Sequence, residues 1–188
     1  MNIQTNRLTL QEISWDDLEM IHRLHSIPEV DEFNTLGIPK NLDETRNNMM
    51  SDIENQQKTS RSRFCWKAIL KETGEFIGIA GMTLSNDRFK MGEFYYKLFP
   101  EFWGKGLATE MAKALIKFGF EECQLHRIEA GVATENKASI RVLEKAGMTC
   151  EGIRRKILPI RGEWKDNFQY AVLEDDFKKN SADDPFSF

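Results

Sequence analysis

The sequence predicts a mixed α/β domain of the α+β kind, in which about four helices flank a mostly antiparallel sheet of seven strands. Short runs alternate apolar and polar residues, as half-buried strands do, and longer runs repeat their apolar residues at the helical spacing. One long helical run also separates two strand-like runs late in the chain. Because an intervening helix allows two strands to lie parallel, we expect one parallel pair in this sheet.

The chain has 188 residues, enough for one hydrophobic core, and no shift in composition requires two. We expect one domain over residues 1–175 and a loosely ordered, polar tail over residues 176–188. Charged residues make up 30% of the chain, which excludes a membrane-embedded protein. The N-terminus lacks a leader pattern and no apolar run could span a bilayer, so we expect a cytoplasmic protein without a membrane partner.

Charge and metal-ligating residue types exclude several functions. The net charge of -4 leaves no basic footprint, so we expect no direct contact with nucleic acid. Cys65, Cys123 and Cys150 are widely spaced and contain no CxxC pair, which favours buried, reduced thiols over a zinc set or a nucleophile. His22 and His25 have no Cys or acidic residue at ligand spacing, so we interpret them as surface or core-edge residues and expect no metal site.

The N-terminal third alternates between strand and helix. Residues 7–13 have period two and predict the first strand. A helix should follow over residues 14–26, because a serine N-cap precedes two acids and a helical apolar stripe. Residues 29–41 have no regular period and predict a loop or broken helix that could form a wall of a substrate site. A second helix is predicted over residues 42–57.

The middle of the chain predicts an antiparallel meander. Its strands are expected over residues 64–70, 75–84 and 91–98, the last of which is rich in aromatic residues. A turn is expected at Asn86-Asp87, and Pro100 should end the third of these strands. The meander therefore leads directly into the glycine-containing stretch that follows.

Gly104 and Gly106 stand between this aromatic strand and a long amphipathic helix, predicted over residues 106–120. The start of a helix leaves main-chain N–H groups unpaired and carries a partial positive charge. Glycine in turn adopts positive φ and allows a ligand to approach the backbone. Together these properties predict a phosphate-binding turn.

Two common glycine-loop functions do not match this stretch. A nucleotide P-loop needs Lys and then Ser or Thr after its second glycine, whereas Lys105 here precedes Gly106 and Leu107 follows it. A dinucleotide-binding loop needs a third glycine and a repeated βαβ pattern, and both are missing. The stretch is therefore interpreted as an anion loop within a mixed sheet.

The last third of the chain predicts a strand, a short helix and a hairpin. Residues 126–132 form the strand, which should be parallel to the aromatic strand and should place a ligand at its carboxyl end. The helix is expected over residues 140–146, with Gly147 in the left-handed position that follows many helices. Residues 148–160 and 163–173 complete the sheet as a hairpin.

The order of these elements and four groups of residues resemble the GNAT superfamily of N-acetyltransferases. The groups are Thr5-Asn6-Arg7-Leu8-Thr9-Leu10, Trp103 to Glu110, Asn136 to Met148, and Glu151-Gly152 with Gly162 to Asp166. They are most similar to the branch typified by the RimJ and RimL ribosomal-protein N-terminal acetyltransferases, which includes many enzymes that act on small amines. The resemblance implies acetyl-CoA as cofactor without a metal, a parallel pair splayed at the cofactor site, and a monomer or homodimer.

The implied reaction is direct attack by a primary amine on the acetyl thioester, within a ternary complex. The amine could belong to the N-terminus of a ribosomal or other protein, or to a small molecule. The resemblance implies that the loop amides cradle the pyrophosphate and that the end of the aromatic strand pairs with the pantetheine arm. The implied cofactor-binding residues are Tyr96, Lys97, Leu98, Trp103, Gly104, Lys105, Gly106, Leu107, Ala108, Thr109, Asn136 and Ser139.

Ser139 occupies the position from which this branch protonates the departing thiolate, and Glu93 is the first candidate for the general base. The structural alternatives are a first-turn polar residue for Ser139, a helix-start residue for Asn136, and an acid paired with a neighbouring base for Glu93. Leu143 stands where many superfamily members have a tyrosine, and Leu158 stands where Rim-type enzymes have a glutamate. These departures leave a second hypothesis open, a non-catalytic acyl-CoA-binding sensor or regulatory module.

Overall fold

The computed structural model of the chain describes residues 1–85 and 88–183. The strands β1 to β8 are Ile3–Gln4, Leu8–Glu12, Arg63–Leu70, Phe76–Leu84, Met91–Leu98, Arg127–Ala133, Thr149–Ile160 and Glu163–Leu173. The helices α1 to α6 are Leu18–His25, Pro28–Asp31, Leu42–Asn55, Leu107–Glu121, Lys137–Lys145 and Glu174–Asp183. Two short 3-10 turns, Trp15–Asp17 and Pro100–Phe102, precede α1 and the glycine loop.

All eight strands form one sheet, in the order β1-β2-β3-β4-β5-β6-β8-β7. Within the described residues, β5 and β6 are the one parallel pair, and the other neighbours are antiparallel. The predicted fold class and its parallel pair are therefore confirmed. The additional strand, β1, is only two residues long, too short to leave a period-two pattern in the sequence.

The parallel strands β5 and β6 separate soon after they meet. Their register contains only Met91 with Arg127, Gly92 with Ile128, and Glu93 with Glu129. Beyond this point β5 remains paired with β4 as far as Leu98, whereas β6 remains paired with β8. The main chain of residues 94–98 therefore has one edge without a strand partner in the described residues, and the sheet splays there as predicted.

Two apolar clusters cover opposite faces of the sheet. The larger cluster lies under α4 and takes alternate residues of β5, among them Phe94 and Leu98. The smaller cluster lies under α1 and α3, where Ile21, Met49 and Cys65 are buried. Because side chains alternate along a strand, the odd-numbered residues of β5 face the α1 and α3 side.

Two local predictions differ from the structure. The tail over residues 176–188, expected to be loosely ordered, is helical as far as Asp183 in α6, and Phe177 of this helix packs against Phe120 with ring centroids 5.1 Å apart. The helix predicted over residues 140–146 begins earlier, at Lys137. The short helix α2 overlaps the start of residues 29–41, which were expected to form a loop or broken helix, and agrees with the second of these alternatives. The predicted turn at Asn86-Asp87 lies outside the described residues.

The cysteines correct another prediction. All three are free thiols, but only Cys65 is buried, Cys123 is half-buried and Cys150 is exposed. Cys150 is exposed because β7 is the last strand of the sheet, an order that the sequence does not reveal. Burial raises the pKa of Cys65 to about 12 and that of Cys123 to about 11, so both thiols are unreactive at neutral pH. No helix of the described residues is both long and apolar enough to cross a membrane.

Candidate active site

The glycine loop presents unpaired main-chain N–H groups. Gly104 and Gly106 adopt left-handed φ values of 72° and 77°, and α4 begins at the next residue. In the described part of the chain, none of the N–H groups of residues 104–109 donates a hydrogen bond to the protein. The space beside Gly104 is open, since a Cβ built there would meet no atom within 4 Å. Consecutive free N–H groups at a helix start form a site for a phosphate-sized anion.

Side chains fix this loop from two directions. The indole Nε1 of Trp103 donates to the carbonyl oxygen of Leu98 at 2.9 Å, which ties the loop to the end of β5. Arg7, just before β2, donates from Nη1 to the carbonyl oxygen of Lys105 at 2.9 Å. The same guanidinium also binds Glu110, in the first turn of α4. The sequence resemblance includes Arg7 and Glu110 but does not indicate that they touch.

The start of α5 faces the splayed strands. Asn136 is its N-cap, because Oδ1 accepts a hydrogen bond from the main-chain N–H of Ser139 at 3.0 Å. Asn136 thus has the structural role that was its alternative interpretation, and its side chain positions the residue predicted to act on the thiolate. The Ser139 side chain is half-buried.

Tyr96 brings a phenol to the same place. Its Oη is buried and has no hydrogen-bond partner in the described residues. Burial raises the pKa of Tyr96 to about 12, and the adjacent Ser139 hydroxyl opposes that shift, although the pair does not meet the geometry of a hydrogen bond. Leu143, where many superfamily members have a tyrosine, is instead 2% exposed in the core. The sequence predicted a backbone role for Tyr96 and missed its hydroxyl.

A cavity of about 350 Å³ lies on the other face of β5, between the sheet and α1 and α3. Three odd-numbered residues of β5 line it, Glu93, Tyr95 and Lys97. Tyr95 has 36% of its surface exposed. Glu93 thus stands both at the end of the β5–β6 pairing and in the cavity wall.

Glu93 is an acid with a raised pKa. Burial is the main cause, and the nearby Glu129 carboxylate adds to the effect, while Arg154 opposes it. Within the described residues Glu93 forms no ion pair, so the expected neighbouring base is not in contact with it. A carboxylate with these properties can accept a proton from an ammonium group more readily than an ordinary glutamate can.

Most other polar side chains of the cavity already have partners. Arg63 Nε lies 2.7 Å from Asp52 Oδ1, and Tyr95 Oη donates to Cys65 Sγ at 3.4 Å. Burial lowers the pKa of His25 to about 3, so that its ring is neutral. The cavity therefore combines neutral or paired polar groups with two charged residues of β5, Glu93 and Lys97, that form no ion pair with any residue the structure describes.

A further unpaired polar atom lies near the gap on the β6 side. Asn167 is buried on β8, and its Oδ1 has no hydrogen-bond partner in the described residues. This oxygen would be 2.9 Å from a Cβ built on Gly131, a residue that lines the cavity. An unpaired buried oxygen here suits a ligand that donates an N–H group.

No metal-binding group exists in the described ranges, where His, Cys, Asp and Glu residues nowhere form a cluster of three that could hold an ion. His22 Nδ1 is instead 2.7 Å from Thr45 Oγ1, at the packing surface of α1 and α3. The unpaired groups at the loop and along β5 fit a ligand that combines a pyrophosphate with an extended, amide-containing arm, as coenzyme A does.

Comparison with known proteins agrees with this architecture. The family model described as an acetyltransferase (GNAT) domain matches residues 7–149. An uncharacterised N-acetyltransferase, p20 of Bacillus licheniformis, is 29% identical over 177 residues, which are 93% of this chain and 97% of that protein. The crystal structure of a GNAT-family acetyltransferase from Bacillus anthracis is 31% identical, with a TM-score of 0.79, and the match covers 93% of this chain and 99% of that one.

Two further structures share the fold at lower identity. Ribosomal-protein-S5-alanine acetyltransferase from Vibrio fischeri is 22% identical, with a TM-score of 0.80 over 94% of this chain and 98% of that one. Spermidine N-acetyltransferase from Vibrio cholerae, in complex with CoA and spermine, is 22% identical, with a TM-score of 0.81 over 93% and 99% of the two chains. Since the family model matches most of the chain, the protein belongs to the GNAT acetyltransferase family and is an acetyl-CoA-dependent acetyltransferase.

Proposed function

We propose that the protein acetylates a primary amine by direct attack in a ternary complex, with Glu93 as the base. The observation that carries this proposal is the position of Glu93, at the closed end of the β5–β6 gap and in the wall of the cavity. One ligand lying along the gap and another in the cavity would therefore meet at this residue. The amine would approach from the α1 and α3 side.

In this proposal the cofactor lies along the glycine loop and the free edge of β5. Acetyl-CoA, when bound, supplies an acetyl thioester that an amine can attack. The free N–H groups of residues 104–109 would bind its pyrophosphate, with Lys105 adding positive charge. The unpaired edge of residues 94–98 is about 17 Å long, and its main chain would bind the pantetheine arm. Trp103 and Asn136 would act mainly by shaping the loop and by capping α5.

The protons would move on opposite faces of β5. The amine nitrogen forms its bond to the acetyl carbon as the carbon–sulfur bond breaks, and the proton that the nitrogen loses goes to Glu93. The sulfur takes a proton from Ser139 or Tyr96, on the α5 side. Tyr96 is included because its phenol keeps its proton at neutral pH and its Oη is otherwise unpartnered. Ser139 or Tyr96 would thus take the role of the tyrosine that many superfamily members have at the position of Leu143.

The acceptor would be either a protein N-terminus or a small amine. The two named neighbours of known specificity illustrate both classes, since one is named for a ribosomal protein and the other for spermidine. The size of the cavity, about 350 Å³, supports a small amine or a single terminal residue. Leu158, in place of the glutamate of Rim-type enzymes, supports an acceptor other than a ribosomal protein.

Thiol release from acetyl-CoA tests the proposal with a panel of small amines and N-terminal peptides, while calorimetry measures CoA binding to the same preparation. Turnover of at least one amine, lost in Glu93→Gln while CoA binding persists, is the expected result. Tight CoA binding without turnover of any amine would instead support the acyl-CoA sensor. A preparation that does not bind CoA would contradict both functions.

A further inference from the structure

The acceptor cavity has opposite charges at two points of one strand. Glu93 and Lys97 both line it and are four residues apart on β5, so their side chains leave the strand in the same direction. Their Cα atoms are about 13 Å apart along the strand, and the two side chains can reach toward each other across Tyr95. The cavity thus has a carboxylate near the reacting end and an ammonium group farther away.

Lys97 forms no ion pair with a carboxylate of the described residues. Among the described residues it forms no ion pair within 4.0 Å and no side-chain hydrogen bond. The acid that influences it most is Asp31, but that carboxylate is 3.7 Å from Arg161 Nε and accepts a hydrogen bond from Asn34 at 3.1 Å. Lys97 is half-buried, and an ammonium group that is partly removed from water without a partner is costly, so an anionic ligand group would supply the missing partner.

The cavity wall also contains Arg63, but this guanidinium already forms an ion pair with Asp52 and is therefore less suited than Lys97 to bind the carboxylate of a ligand. Burial lowers the pKa of Lys97 to about 8, so the ammonium form still predominates at neutral pH. A linear polyamine would place its second positive charge in the part of the cavity where Lys97 is positive, which is unfavourable.

We propose that the acceptor is an aminocarboxylate whose amine lies at Glu93 and whose carboxylate lies at Lys97. The carbon chain between the two groups would lie against Tyr95 and the apolar wall formed by Ile21, Met49 and Ile79. This inference rests on the proposed function for the reaction and deepens it by naming the class of acceptor. An acceptor of this class differs from a polyamine, which has no negative charge to place at Lys97.

Three compounds with the same number of carbon atoms test the preference for a negative group at the far end of the acceptor: 5-aminopentanoate, pentylamine and 1,5-diaminopentane. They differ only in the group opposite the reacting amine, which is negative, neutral or positive. We expect kcat/KM for the aminocarboxylate to exceed that for pentylamine by on the order of tenfold, as for a charge-assisted hydrogen bond in a partly open site. The diamine should be the poorest acceptor of the three.

Substitutions at Lys97 identify the source of the preference. In Lys97→Met the ratio of kcat/KM between 5-aminopentanoate and pentylamine should fall to about one, and in Lys97→Glu the diamine should become the best of the three. Lys117→Met removes the same charge from the exposed face of α4, on the opposite side of the sheet, and should leave the ratio unchanged. CoA affinity and Tm of each variant verify that it is folded.

Calorimetric binding of the three compounds to the enzyme–CoA complex separates this inference from the proposed function. If 5-aminopentanoate binds best and depends on Lys97, but no amine is acetylated, the proposed function fails and the acceptor class stands. The acceptor class is overturned if the diamine binds best, if the preference survives Lys97→Met, or if none of the three compounds binds.

Discussion

Arg7 holds the carboxylate of Glu110 through two hydrogen bonds of 2.7 Å, one from its main-chain N–H and one from its guanidinium Nε. The two residues are 103 positions apart in the sequence. The Thr5 hydroxyl donates to the same carboxylate at 2.6 Å. Burial alone would raise the pKa of Glu110, but these hydrogen bonds from Thr5 and Arg7 outweigh it and hold the pKa below its usual value. The start of α4 is thereby anchored to the first strands.

This contact predicts that Arg7→Ala weakens CoA binding. The substitution removes both guanidinium bonds, from Nε to Glu110 and from Nη1 to the carbonyl oxygen of Lys105, and leaves only the main-chain bond to Glu110, so the loop loses its fixed shape. We expect the Kd of CoA, measured by calorimetry, to rise about tenfold, as for the loss of charge-assisted bonds that are partly exposed. Arg155→Ala removes an exposed arginine of β7 as a control. Equal affinities of the Arg7 and Arg155 variants would show that the anchor does not act on the site.

The glycine loop predicts a different separation of effects. Gly104→Ala places a side chain in open space but at a φ of 72°, so it should lower the free energy of unfolding by about 1 kcal/mol. Gly104→Glu carries the same backbone cost and adds a negative charge beside the free N–H groups. We therefore expect CoA affinity to fall much further in Gly104→Glu than in Gly104→Ala, as measured by calorimetry on both variants. Similar affinities would place the pyrophosphate elsewhere.

The pair formed by Tyr96 and Ser139 predicts which side chain protonates the thiolate. Ser139→Ala keeps the N-cap, because Asn136 binds the main-chain N–H, and Tyr96→Phe keeps the ring. Loss of the acting group should lower kcat about 10²-fold with little change in CoA affinity. Tyr170→Phe, which removes a phenol hydroxyl bonded to the exposed Glu144, is the matched control. If both site variants behave like this control, neither hydroxyl donates the proton.

The raised pKa of Glu93 predicts a stability that depends on pH. Since the folded state binds this proton more tightly than the unfolded state does, ionisation of Glu93 costs stability as pH rises from the ordinary glutamate pKa through the folded value. Glu93→Gln cannot ionise, so it should be more stable than the wild type in urea at pH 7.5. The difference should disappear near pH 4, where both side chains are neutral. A wild type that is more stable than the variant at pH 7.5 would contradict the raised pKa of Glu93.

Local signals predicted most of the fold. Asn41 directly precedes the helix predicted over residues 42–57 and caps α3, with Oδ1 accepting from the Glu44 N–H at 2.9 Å, as asparagine commonly does at this position. The glycine pair marked the loop because left-handed backbone and a free helix start are properties of a few consecutive residues. The parallel pair followed from the helix between its strands. Such features depend on neighbours in the sequence, which is why periodicity and capping residues reveal them.

What the sequence alone determined is the fold class, the order of its elements, and the position of the glycine loop before the long helix. The tertiary structure decided which distant side chains meet: Arg7 with Glu110, Tyr96 with Ser139, and Lys97 with the acceptor cavity. It also decided the exposure of Cys150, which follows from β7 lying at the edge of the sheet. The reason is physical, because strand order and the separation of β5 from β6 arise from packing of the whole chain, and no local pattern of residues encodes them.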